Sequence, residues 1–216
     1  MTRIAFGSCN RQNLPQNHFH FIADVLEPTH WFWTGDAIYA TSNKISSLKV
    51  AYDLLNSNEA YKSLKQKVHY IDGVYDDHDF GINDAGKYSY DRMRQDHFLD
   101  FLGVSTDNHL RSKHGLYHTH DITTNTGIKI KTFFLDTRSL RDSPFIRSIG
   151  EWNFPFTALI AAFIRGMLVT LGFGRVHGGD ILGKAQWEWL HKELTFSKAD
   201  FNIIVSSIQV LTTNPG

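Results

Sequence analysis

The sequence is short of several things, and each shortage excludes something. One cysteine, Cys9, in 216 residues excludes an internal disulfide framework and the small scaffolds that depend on one. Neither sign of charge is in excess: Lys and Arg total 22, Asp and Glu total 22, and the pI is near 7.2. There is therefore no basic surplus to release counterions from a phosphate backbone, and no nucleic-acid partner is expected. Repeats and low-complexity tracts are lacking, so no linker divides the chain. No charged segment followed by a long apolar run opens it, so no signal peptide is read and an intracellular location is the default expectation.

What is present fits one α/β domain over residues 1–216. At 42% hydrophobic and 20% charged, the chain can bury a substantial core. Aromatic residues reach 13%, and the twelve histidines are scattered rather than consecutive, which excludes a histidine tract. Short apolar runs alternate with helical periodicities. Strands are expected at Ile4 to Cys9, Trp31 to Thr34, His69 to Tyr75, 114–122, 128–135 and Asn202 to Val210. Helices are expected at 16–26, stopped by Pro28, and at 47–67, 89–102 and about 185–194. Such alternation builds layered α/β folds whose sites lie beyond the strand ends.

Residues 154–174 form an apolar stretch of nearly membrane-spanning length. Arg165 at its middle costs roughly 2.5–3.5 kcal/mol on insertion scales. A span would also put the earlier strands and the last strand on opposite sides of a bilayer. The stretch therefore reads as a helix within an insertion at about 145–178, either buried, covering the site or in peripheral contact with a membrane.

Three strand ends carry side chains suited to metal ions. Ser8-Cys9-Asn10 follows the first, Gly35-Asp36-Ala37-Ile38-Tyr39 the second, and Asp76-Asp77-His78-Asp79 the third, with Asn83-Asp84 close behind. Gly35 permits a tight turn, after which the two oxygens of Asp36 can bridge two cations. Tyr39, about one turn on, can bring a phenolate to one of them. A hard phenolate suits ferric iron, a thiolate from Cys9 adds charge, and the Asp, His and Asn donors suit a harder divalent ion. Any one of these alone would be a turn, a helix cap or a small buried residue. Their order after successive strands is what points to a binuclear site, which can activate water and clamp a phosphoryl group.

In these pieces the chain resembles the PhoD-like (alkaline phosphatase D) metallophosphatases. The matching segments are Ala5 to Asn10, Trp33 to Tyr39, Asp76 to Asp84, Phe134 to Ser139, Leu182 to Leu190 and Ser206 to Gln209. The resemblance implies a calcineurin-like αββα sandwich, incomplete at its C-terminal end, that hydrolyses phosphate esters with a metal-bound hydroxide. It implies ferric iron on Cys9, Asp36 and Tyr39, and calcium or another divalent cation shared by Asp36. Asn83 falls at the position of the family's Asn ligand, and Asp77 and His78 match its aspartate–histidine motif. Asp36, Asp77 and His78 are the expected catalytic groups, with Asp77 also a metal ligand. Arg138 joins them because a guanidinium can hold phosphate oxygens bidentately; an internal ion pair is its rival role. The Gly-Asp-x-x-Tyr element is also similar to that of purple acid phosphatases. Two departures stand out: Tyr75 occupies a position where many relatives have Trp, and no late Gly-Asp-x-His element is present. The second favours a rival reading, an inactive metal-binding or membrane-associated remnant of the family.

Overall fold

The computed structural model describes residues 1–142, 157–172 and 179–209. Two three-stranded sheets face one another. In the first, β1 (Ile4–Gly7), β2 (His30–Thr34) and β3 (Tyr70–Val74) run parallel in that order. In the second, β4 (His118–Thr123) pairs antiparallel with β5 (Lys129–Phe134), which pairs parallel with β6 (Phe201–Val205). Alternation along each strand sorts the side chains between two faces. Phe32, Val74, Ile122, Phe134 and Val205 meet between the sheets, with Phe32 and Phe134 edge-to-face at 5.1 Å.

Trp31 and Trp33 point the other way, into a larger apolar cluster beneath helices. That layer holds α1 (His18–Phe21), whose end continues as a wider π turn to Leu26, and α2 (Ile45–Ser57), α3 (Glu59–Lys67) and α5 (Arg92–Leu102). Between α3 and α5 comes a single turn, α4 (Asp77–Phe80), directly after β3. Local chemistry sets the boundaries. The Asn58 side chain accepts from Ala60 and Tyr61 N–H to start α3, and Asp91 accepts from Met93 N–H to start α5. Gly103 at φ +77° ends α5 in the left-handed region. On the outer face of the second sheet Leu190 of α7 (Gly183–Thr195) and Leu182 just before it pack against Phe133 and Leu135. The order of layers is helices, sheet, sheet, helix.

The remaining helix, α6 (Thr157–Thr170), falls within the apolar stretch and is shorter than it. The ends of that stretch, 154–156 and 173–174, lie outside the described residues, as does most of the expected insertion. No helix among the described residues is long and apolar enough to cross a membrane. One expectation needs correcting. The last strand stops at Val205 rather than running on towards 210, because Ser206 turns the chain by donating its hydroxyl to the Ile208 carbonyl. Trp187 on α7 is half exposed and donates to Asp180 at 2.8 Å, while Gln186 and Leu190 face inward.

Candidate metal centre

Three of the six strands among the described residues end at one place, and Gly35 is the reason. Its φ of +99° is in the region that glycine tolerates, and a Cβ there would lie 2.7 Å from Cβ of Asp76 and 2.7 Å from Cβ of Ser207. The ends of β2, β3 and β6 converge on a residue with no side chain.

The loops after β1 and β2 are laced together. Asn10 N–H donates to the Asp36 carbonyl at 2.8 Å, and the Asn10 amide donates to the Ala37 carbonyl at 3.2 Å. Gln12 and Tyr39 exchange two bonds, amide to carbonyl and N–H to amide oxygen, each at 2.9 Å. Cys9 (φ +54°) and Asp36 (φ +51°) both adopt the left-handed conformation, a strain of order 1–2 kcal/mol per residue that the lacing holds in place.

The result is a carboxylate with two differently furnished sides. Asp36 Oδ2 accepts from the Tyr39 hydroxyl at 3.0 Å and lies 3.9 Å from the Cys9 sulfur. Asp36 Oδ1 accepts from His78 N–H at 3.2 Å. Ligand atoms of Asp36, Asp77 and His78 all lie within 4.8 Å of one another. The His78 and Tyr39 rings sit 4.2 Å apart, and the Arg11 guanidinium lies 5.1 Å above Tyr39. Asp77 Oδ2 accepts from Asp84 N–H at 2.6 Å, which fixes the following loop; Asn83 on that loop has its side chain exposed.

Crowded carboxylates resist ionisation. Burial, then the neighbouring Asp76 and Asp77, push Asp36 up to about 6. Burial and the Asp36 carboxylate hold the Tyr39 hydroxyl above the usual phenol range. Both shifts come first from burial and then from neighbouring negative charge, and a bound cation would oppose them. The donor set, one thiol, one phenol, two carboxylates and an imidazole, has the mixed character that suits a trivalent and a divalent ion side by side.

Sequence reasoning did not assign the groups that hold this arrangement up. Asp79 is wholly buried. Its Oδ1 accepts from Ala37 N–H and from the Tyr52 hydroxyl, both at 3.1 Å, and its Oδ2 accepts from Asp76 N–H at 2.9 Å. It therefore ties the Gly35-Asp36 turn to the start of α4, and burial keeps its own pKa well above the ordinary carboxylate value. The Asp-x-x-Asp spacing ahead of a helical turn was the available signal. Asp76 accepts from Arg138 Nε and, at 2.8 Å, from Ser207 Oγ. Arg138 also donates to the Ala85 carbonyl at 3.3 Å, so the structure puts its guanidinium in an internal pair. Asp136, two residues earlier, caps its own turn by accepting from the N–H groups of Arg138 and Ser139 at 2.9 and 2.8 Å. Of the predicted residues, Cys9, Asp36, Tyr39, Asp77 and His78 are together; Arg138 and Asn83 border them.

No family model matches the sequence, and no curated protein matches it. A solved structure does: "Structure of PhoD" superposes with a TM-score of 0.62 at 16% sequence identity, over 93% of this chain. The chain shares the PhoD fold. It spans 40% of the length of that PhoD structure. The expected α/β class and the resemblance to PhoD hold at the level of the fold.

Proposed function

We propose that the chain is the metal-holding part of a phosphoesterase of the alkaline phosphatase D type, with a calcineurin-like core. The observation that carries this is the Asp36 carboxylate, with Tyr39 and Cys9 beside one oxygen, the His78 N–H on the other, and ligand atoms of Asp77 and His78 within 4.8 Å. Cys9, Asp36 and Tyr39 would hold ferric iron; Asp36 and Asp77, with Asn83 brought in from its loop, would hold calcium or another divalent ion. When bound, such cations acidify water and neutralise phosphoryl charge.

The chain's own residues do the rest. The buried Asp79 keeps Asp36 aimed by gripping the turn behind it. His78 stands at the open rim on the face of Tyr39, half-buried, where its imidazole can pass a proton to or from a departing alcohol. A groove of about 460 Å³, whose lining includes Cys9, Asn10, Arg11, Phe6, Phe19 and Trp31, offers space for an ester's organic part.

Asp36→Asn tests the reading. Metal content and p-nitrophenyl phosphate hydrolysis are measured on the same preparations. The exchange should lower metal affinity by about 100-fold or more, beyond what loss of an outer hydrogen-bond partner does, and abolish turnover. Metal binding unchanged in Asp36→Asn would refute the site. Metal binding without turnover in the unaltered chain would instead mark it as a binding remnant.

A further inference from the structure

Two arginines stand behind the acidic cluster, and they are not equivalent. Arg138 is committed to Asp76 and the Ala85 carbonyl. Arg141 is clamped only through its backbone: its N–H donates to the Arg138 carbonyl at 3.2 Å, and its carbonyl accepts from Lys87 N–H at 3.0 Å. Gly86 permits that clamp, since a Cβ there would lie 2.9 Å from the Arg141 oxygen. Arg141 is thus wedged between the turn that carries Arg138 and the loop that Asp77 anchors through Asp84 N–H.

Its side chain is partly buried, yet among the described residues no hydrogen bond or ion pair engages its guanidinium. Burial, and the like charge of Arg138 after it, lower its pKa; Asp84, Asp76 and Asp77 are the carboxylates that pull the other way. A half-buried cation that is repelled by one neighbour and, among the described residues, paired with none is completed by an anion at lower cost than it is left alone. The carboxylates whose charge reaches Arg141, which are Asp84, Asp76 and Asp77, put it beside the acidic cluster, where bound cations would draw an anion in.

We propose that Arg141, rather than Arg138, holds the phosphoryl oxygens of the substrate, and that Arg138 is a positioning residue for Asp76. The planar guanidinium fork suits two oxygens of one phosphate at once. This rests on the phosphoesterase reading and narrows it to one residue.

The test is calorimetric titration of inorganic phosphate into the 216-residue chain loaded with iron and calcium, with metal content measured on each sample. Arg141→Gln should keep its metals and bind phosphate about tenfold or more weakly, the loss expected for a charge-assisted hydrogen bond. Arg141→Lys should recover part of that loss. Arg138→Gln should lower the melting temperature, because it strands Asp76, while phosphate affinity in the folded protein stays within about threefold. Arg11→Gln controls for the exposed guanidinium over Tyr39. Phosphate affinity unchanged in Arg141→Gln with metals present, or lost in Arg11→Gln instead, overturns the assignment and leaves the phosphoesterase reading standing. Failure of the unaltered chain to bind metal overturns both. Melting curves of both Arg141 variants separate unfolding from loss of a contact, and Arg141→Lys alone still decides the matter if Arg141→Gln does not fold.

Discussion

The two long sides of the sandwich are finished in opposite ways. Asp72 on β3 meets His118 on β4, and Phe32 on β2 meets Phe134 on β5, so β1 and β6 share the remaining side. The β3/β4 side is sealed by polar groups. His118 Nε2 lies 2.9 Å from Asp72 Oδ2, its Nδ1 is 2.6 Å from the Leu116 carbonyl, and Asp72 also accepts from the Tyr70 hydroxyl at 2.7 Å. Tyr70 and His120 stack at 3.7 Å beside the pair. The β1/β6 side carries apolar groups facing water: Phe6 is 72% exposed, Phe201 59% and Ile204 43%. One side specifies how the sheets align; the other presents hydrophobic edge strands, the kind of surface that natural sheets usually cover or charge. The difference teaches that alignment of two sheets can be set from one side only. A directional bond such as that between Asp72 and His118 tolerates less displacement than the phenyl rings across the middle.

The sharpest way to break this comparison is to remove one partner of the pair. His118→Ala leaves the Asp72 carboxylate buried with only Tyr70 and Gly73 N–H as donors. It should cost about 3 kcal/mol or more in urea unfolding, near the range for uncoupled buried charges. A cost below about 1 kcal/mol would show that apolar contacts align the sheets without it.

Acidity sharpens the comparison with a smaller effect. Burial alone would depress His118, but the Asp72 carboxylate and the bonds to Asp72 and Leu116 outweigh it, and its folded pKa is raised. Lys113, pushed down to about 8 by burial, opposes this weakly, as does nearby His120 in its charged form. Burial would raise Asp72, yet His118, Tyr70 and Gly73 bring it below the ordinary value. The His118 contribution is therefore complete below its unfolded pKa of about 6.5 and fades as pH rises through the higher folded value. The Asp72 contribution is complete above about pH 4 and fades as pH falls through its depressed folded value. Taken as the difference from His118→Gln, in which the slopes set by the raised Asp36, Asp76 and Asp79 cancel, unfolding free energy should hold a plateau between those limits and decline on the alkaline side. A difference that stays level there places the origin of any alkaline loss elsewhere.

The smallest effect belongs to the other side. Phe6→Ser and Phe201→Ser should each change stability by no more than about 0.5 kcal/mol, as exposed positions do. They should nevertheless reduce concentration-dependent association in sedimentation. A stability loss of 2 kcal/mol from either would mean that this side is as structurally committed as its opposite.

Much of this was legible in the sequence, and the limits are physical. A strand ending in Gly35-Asp36 announces a turn with a carboxylate at its tip, and Cys9, Tyr39 and Asp77 lie within a few residues of their strand ends, so local order sufficed to gather them. His118 and His120 could be placed on one strand face by the two-residue period, but that period names a face and not a partner. Asp72, 46 residues away, carried no mark distinguishing it from any strand aspartate. Arg138 and Asp76 are 62 residues apart, and their pairing depends on how two sheets stack, which no short-range pattern encodes. Asp79 was hidden in part: its spacing from Asp76 marks a helix cap, but among four ligand-type residues in a row the packing decides which one is wholly buried.

The meeting of three strand ends at Gly35 has a consequence for how such a protein can diverge. A methyl group at that position would press on Asp76 of one sheet and Ser207 of the other together. No single exchange at either neighbour makes room, because the contacts are with their Cβ atoms, which every residue but glycine carries. Drift at this vertex must then proceed by joint replacement or not at all. Among descendants whose overall identity has fallen away, a lineage that has lost this glycine should have lost the carboxylate beside it as well.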